Sequence, residues 1–160
     1  MRKSHKVFLI LSTVVIALVY LHLMDWISFF GDELAHVVRI TGFMIPMVLL
    51  FFGYVALRNV KVYIIWLVLS ILMVLIFKCY QDSPAVQTTR GSSLSTFKSL
   101  FGFLIAFQFC RLVILRFTGL EYITPSKGGG ADIIDGRTPD VGDYLMFACL
   151  FGVIFLAQAI

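Results

Sequence analysis

The densest group of chemically capable side chains runs from His22 to Arg39 and holds Asp25, Asp32, Glu33 and His36 between them. Histidines and carboxylates in that company can bind a transition metal or relay protons, and ionisable groups among apolar residues are functional candidates by default. Two apolar runs meet in a short turn near residue 32, so positions summing to about 64 lie at similar depth in an antiparallel pair. Asp25 and Arg39 meet that condition, which predicts a structural ion pair that offsets the cost of holding an arginine in the second run. The alternative is that both simply sit in a headgroup region. His22 is level with position 42, which puts His36 roughly 9 Å away along the axis at about 1.5 Å per residue. Two axial ligands of one haem cannot differ that much in depth, so the spacing argues against bis-histidine haem, and a structural interfacial role is the simpler reading.

Ser70 and Gln108 stand near the middle of other long apolar runs. A hydroxyl or amide at that depth needs a partner, and interhelical hydrogen bonds worth about 0.6 to 2 kcal/mol are the usual solution. With His22 they make three polar intramembrane positions, which act as packing groups or, in a channel, line a path. The stretch TGLEYITPSKGGGADIIDGRTPDVGD, residues 118–143, is polar, glycine-rich and acidic toward its end. Lys127 precedes Gly128, Gly129 and Gly130, whereas a Walker loop places its lysine after the glycines and follows it with Ser or Thr. Asp132, Asp135, Asp140 and Asp143 offer oxygen ligands but lack the D-x-D-x-D-G spacing of a calcium loop. A long polar connection of this kind is more often a mobile connector or a docking surface. Its charged positions Lys127, Asp132, Asp135, Arg137 and Asp140 are the expected docking residues.

Cys79, Cys110 and Cys149 are odd in number and widely spaced, so neither a disulfide framework nor a zinc site is expected. No nucleophile stands near a base and no carboxylate pair falls within one apolar run, so the sequence points to no catalytic activity and names no cofactor. Gly102 with Ala106, and Ala148 with Gly152, are small residues at four-residue spacing. Such pairs would let the fourth and fifth runs approach each other or a second copy.

What must position these groups is apolar helix. Apolar residues make up 60% of the 160, charged residues only 14%, and mean hydropathy is +0.97, where soluble domains carry about 25% charged residues. A chain this short cannot hide that much apolar surface in its own core, and lipid is the economical cover. Five runs, 7–30, 36–57, 62–77, 97–117 and 144–160, approach the roughly 17 to 25 residues that a crossing demands. The third is short, but Lys61 and Lys78 can reach the two interfaces while their stems stay in lipid. Arg111 interrupts the fourth, which either crosses with that side chain reaching for the interface or is re-entrant. The expected fold is therefore an all-α, polytopic transmembrane bundle in a single domain, with five crossings, or four if the fourth run turns back. Arg2, Lys3 and Lys6 precede the first run as in a signal peptide, yet no small-residue exit follows, so the run reads as a retained helix.

Counting basic residues on alternate sides sets the orientation. An N-terminus in the cytoplasm gives that side Arg2, Lys3, Lys6, Arg58, Lys61, Arg111, Arg116, Lys127 and Arg137, against Arg39, Lys78, Arg90 and Lys98 opposite. Nine against four favours a cytoplasmic N-terminus and 118–143 loop, with the C-terminus in the periplasm of a bacterial inner membrane. The net charge of +4 is scattered at the ends of runs with no basic stripe, so nucleic acid is not an expected partner. The expected partners are the lipid bilayer and protein, either further copies of the chain or other subunits. The function that fits is a small membrane subunit acting by assembly, as in a secretion, conjugation or phage-defence apparatus. The alternative is a small channel or transporter along the polar intramembrane residues.

Overall fold

Long apolar runs without water must satisfy their peptide groups within their own backbone, and the helix does so segment by segment. The computed structural model describes residues 3–24, 33–88, 91–125 and 137–159 and is a helix bundle. Its helices are α1 (Lys3–Leu23), α2 (Leu34–Leu57), α3 (Val60–Tyr80), α4 (Phe97–Thr118) and α5 (Val141–Ala159). The all-α expectation holds. Four helices, Lys6–Leu23, Leu34–Leu57, Val60–Tyr80 and Ser93–Thr118, are long and apolar enough to cross a bilayer, and Val141–Leu156 is a shorter apolar helix. The run interrupted by Arg111 is thus among the long ones. The third helix includes Lys61 and Lys78, because charges at helix ends do not interrupt the backbone ladder.

Neighbouring directions follow from side-chain contacts. Phe8 meets Trp66 with ring centroids 5.6 Å apart and Tyr20 meets Tyr80 at 6.1 Å, so α1 runs parallel to α3. The Tyr63 hydroxyl donates to Leu104 O, and the Lys98 ammonium lies 4.8 Å from the Phe77 ring centre, so α3 and α4 are antiparallel. Phe43 meets Phe155 and Phe51 meets Phe147, which makes α2 and α5 antiparallel. One end of the bundle therefore gathers the start of α1, the α2–α3 turn at Arg58, the end of α4 and the start of α5. The core between them is filled by large side chains, with Trp66, Phe97, Phe103 and Phe107 essentially inaccessible. Outward faces are apolar too: Val7, Val68 and Leu145 are each more than 60% exposed, at 64%, 62% and 67%.

α2 is not a regular helix. Pro46 has no N–H, so the carbonyl of Gly42 loses its helical donor. Ser99 on α4 supplies a replacement: its Oγ lies 2.8 Å from Gly42 O and 2.6 Å from Thr96 O, and its single proton is shared between them. Three residues beyond Pro46 the ladder widens to a π-helical turn, Leu49–Gly53, before resuming at Tyr54–Leu57. Here the Leu50 carbonyl accepts a hydrogen bond from the Thr124 hydroxyl at 2.7 Å. Both irregularities are thus answered by hydroxyl groups from other elements.

The far end is closed by the α3–α4 connection. A 3-10 turn at Pro84–Val86, a short antiparallel pair β1 (Gln87–Thr88) and β2 (Gly91–Ser92), and a 3-10 turn at Ser93–Thr96 lead into α4. Val86 and Leu94 are buried, and the Ser93 hydroxyl donates to Val86 O. The second turn presses on α2 at Gly42, where a Cβ would stand 2.3 Å from Thr96 Oγ1 and 2.9 Å from its carbonyl carbon. Backbone cannot yield as a side-chain tip can, so Gly42→Ala is expected to destabilise the bundle by about 1 to 3 kcal/mol. At Gly152 a Cβ would meet nothing within 4 Å, and Gly152→Ala is expected to stabilise by up to about 1 kcal/mol through helix propensity. Unfolding in detergent checks both; equal effects at the two glycines would contradict the close approach.

Candidate functional site

The polar groups of the bundle concentrate at the Arg58 end, on the segment that follows α4. Gly119 ends that helix in the left-handed conformation, φ 69°, and its N–H bonds Leu115 O. The chain then folds back so that Tyr122, Ile123 and Thr124 are buried between α2, α4 and the start of α5. Tyr122 packs edge-on against Tyr54 and Phe107, with ring centroids 6.1 Å away in each case. Burial pushes the Tyr122 phenol up, while the Thr124 hydroxyl at 3.4 Å works the other way and Asp143 adds to the rise. The phenol therefore stays protonated throughout the ordinary pH range.

Glu121 is the centre of the first charge group. Arg111 on α4 grips it with two bonds, Nε to Oε2 at 2.8 Å and Nη2 to Oε1 at 2.6 Å. The parallel fork geometry is the strong form of a carboxylate pair. Arg58 adds its Nε at 3.8 Å, donates to Tyr122 O and lies over the Tyr54 ring at 5.6 Å. One carboxylate thus ties the end of α2 to the last turns of α4. Arg111 and Glu121 side chains keep 15% and 33% of their exposure, so this is a partly exposed pair and not a deeply buried one.

Asp143 is the centre of the second group and is wholly inaccessible. Its carboxylate accepts from Ile123 N at 3.1 Å, from Asp140 N at 3.0 Å and from Arg137 Nη2 at 2.8 Å. In return Asp140 Oδ1 accepts from Asp143 N at 3.0 Å. The D-x-x-D sequence is therefore a reciprocal capping box that starts α5 with two negative side chains at the positive end of the helix dipole. Arg137 also donates to Glu121 O at 3.0 Å, which joins the two groups. The feet of the connection, at 121–124 and 137–143, are both fixed to the bundle.

The residues singled out from the sequence are placed as follows. Arg137 and Asp140 belong to the capping network, while Lys127, Asp132 and Asp135 lie outside the described residues. Asp25 lies outside them as well, so the Asp25–Arg39 pair is not described; Arg39 and His36 are exposed and His22 is half-buried. The buried Ser70 hydroxyl donates to Leu67 O of its own helix at 2.7 Å. Gln108 is one turn from Arg111 and beyond the level of Tyr63, hence toward the Arg58 end of α4, and its buried Oε1 has no hydrogen-bond partner among the described residues. Gly102 lies on the α4–α5 contact, a Cβ there standing 3.5 Å from Val153 Cγ1. Ala106 packs on the core, and Ala148 is exposed. Among the described residues no set of three His, Cys, Asp or Glu side chains gathers closely enough to hold a metal ion.

Sequence reading missed the Glu121 and Asp143 centres. The signal for the second was present, since D-x-x-D immediately before an apolar run is a helix-start signature. Glu121 could have been suspected from orientation alone, as Arg58, Arg111 and Glu121 all fall on one side of the expected topology. Comparison with protein-family models, with curated proteins and with solved structures gives no match.

Asp143→Asn removes the charge that balances a partly buried Arg137 and is expected to cost about 2 to 4 kcal/mol. Asp140→Asn keeps a good capping side chain and is expected to cost less than about 0.5 kcal/mol. Chemical unfolding in detergent distinguishes them, and similar losses would show that the charge of Asp143 is unimportant.

Proposed function

We propose that the chain is an integral membrane protein of five crossings that works by assembly. In this reading the N-terminus and the 118–143 connection lie in the cytoplasm of a bacterium and the C-terminus lies across the inner membrane. The connection docks a partner protein, or the chain associates with copies of itself, as part of a larger apparatus. The membrane part is supported by the continuous apolar outer faces, which give way to charged clusters only at the ends of the helices. Water is a poor match for such a surface and hydrocarbon a good one.

The observation that carries the assembly reading is how firmly the bundle holds both feet of the connection. Three arginines, two aspartates and a glutamate fix its entry and exit. Between those anchors the sequence 126–136 carries Lys127, Asp132 and Asp135. Anchors fixed in one arrangement lower the entropy that a partner docking beside them must lose. A path through a single copy gains less support, because the core is filled with large apolar side chains and the Ser70 hydroxyl is engaged by its own helix.

Two measurements test the proposal. Cys79, exposed at the end of α3, is expected to react with an impermeant maleimide added to intact cells, and Cys79→Ser to abolish the label. Labelling only after permeabilisation would reverse the orientation. Gentle extraction followed by native mass measurement is expected to return a mass above that of one chain, lost when residues 126–136 are exchanged for a Gly-Ser linker of equal length. A lone chain before the exchange would contradict assembly.

A further inference from the structure

α3 and α4 lie side by side, and their outward faces border one groove. On α3 the exposed residues Lys61, Ile64, Val68, Ile71 and Leu75 recur at three- and four-residue intervals, which puts them on one face. On α4, Phe101, Ile105, Phe109, Leu112 and Arg116 do the same. Ile71, Val74 and Leu75 meet Phe101 around a wholly apolar pocket, so the two faces flank the same depression. Each face is hydrocarbon along its length and ends in one cation at the Arg58 end. α4 continues past the level where α3 begins, but helical side chains lean toward their own N-terminus. Lys61 therefore leans out of the bundle and Arg116 leans back toward it, which narrows the difference in depth.

Both cations are exposed, and neither forms an ion pair among the described residues. The described carboxylates of that end, Glu121, Asp140 and Asp143, are held by Arg58, Arg111 and Arg137. Lys61 also stands in the first turn of α3, where the helix dipole disfavours a cation and favours an anion. The opposite end of the groove differs. Lys78 continues the α3 face there and is exposed, but it stands in the last turn of its helix, where the dipole favours a cation. The Lys98 ammonium lies over the Phe77 ring, and the carboxylates Glu33 and Asp82 are exposed there.

We infer that this groove binds an anionic phospholipid, its phosphate between Lys61 and Arg116 and one acyl chain running to the pocket at Ile71, Val74, Leu75 and Phe101. Ten residues of α3 separate Lys61 from Ile71, about 15 Å at the helical rise, which equals half of a hydrocarbon core roughly 30 Å thick. The inference rests on the membrane reading above.

The test is native mass spectrometry of the full chain in uncharged detergent with phosphatidylglycerol or phosphatidylcholine added. Phosphatidylglycerol is expected to be retained more tightly, with each of Lys61→Gln and Arg116→Gln lowering that retention about fivefold. Lys78→Gln with Lys98→Gln is expected to leave the preference intact. Leu75→Trp, which fills the pocket without touching a charge, is expected to reduce retention of both lipids. Equal retention of the two lipids, a preference that survives the Lys61 and Arg116 double variant, or one removed by the Lys78 and Lys98 pair would overturn the site. Displacement by glycerol 3-phosphate alone at equal concentration would show a free phosphate site and overturn the lipid assignment. A chain that stays dispersed without detergent would contradict the membrane reading itself, a result separate from any lipid preference.

Discussion

The architecture turns on the carbonyl groups that α2 cannot satisfy by itself. A buried C=O without a donor costs on the order of 1 to 3 kcal/mol, and no water reaches the contact between α2 and α4, where Gly42 and Ser99 are both buried. Pro46 creates one such carbonyl, and Leu50, within the π-helical turn Leu49–Gly53, offers its carbonyl to a hydroxyl from outside the helix. The hydroxyls that answer them come from α4 and from the segment after it, residues far away in the chain. Satisfying the backbone of one helix thereby dictates where two other elements must lie. Gly42 completes the arrangement, because only a residue without a Cβ lets Thr96 approach closely enough for Ser99 to reach its acceptor.

The charged end is organised by the same need for complete pairing. Each described carboxylate there meets an arginine, and the guanidinium groups also serve main-chain carbonyls: Arg58 that of Tyr122, Arg137 that of Glu121. Guanidinium suits this task, since its donors point in fixed directions and can engage a carboxylate and a carbonyl at once. The segment from Glu121 to Thr124 is held from three sides, by Arg58, by Asp143 and by Leu50 O. Pairing the described carboxylates inward leaves Lys61 and Arg116 exposed and without an ion pair among the described residues. The internal network and the exposed cations are two consequences of one distribution of residues.

Helix existence was legible because hydrophobic length dominates every other signal in this chain. The run 97–117 read as a helix despite Arg111, and the structure answers that charge with Glu121 at the helix end. The ends of helices were less legible: α3 extends over Lys61 and Lys78, and α5 begins at Val141 because Asp140 and Asp143 cap each other. The polar partners were hidden for a simple reason. Pro46 announces that Gly42 O needs a donor, but nothing local says that Ser99 supplies it. Emphasis on His22, Asp25 and His36 followed sequence proximity, whereas the cluster the structure describes joins Arg58, Arg111, Glu121, Arg137 and Asp143 across four elements. Sequence spacing finds partners on one helix or hairpin, as for Asp140 with Asp143, whereas Arg58 with Glu121 and Ser99 with Gly42 are brought together only by the fold.

The most direct measurement of the central claim is a double-mutant cycle between Pro46 and Ser99, read from unfolding free energies in detergent. Ala at position 46 restores an N–H for Gly42 O, so Ser99→Ala should cost less in a Pro46→Ala background than in the native chain. The account predicts a coupling of about 0.5 to 1.5 kcal/mol. Two substitutions that add to within about 0.3 kcal/mol would contradict it, because Ser99 would then be serving something other than the carbonyl that proline sets free.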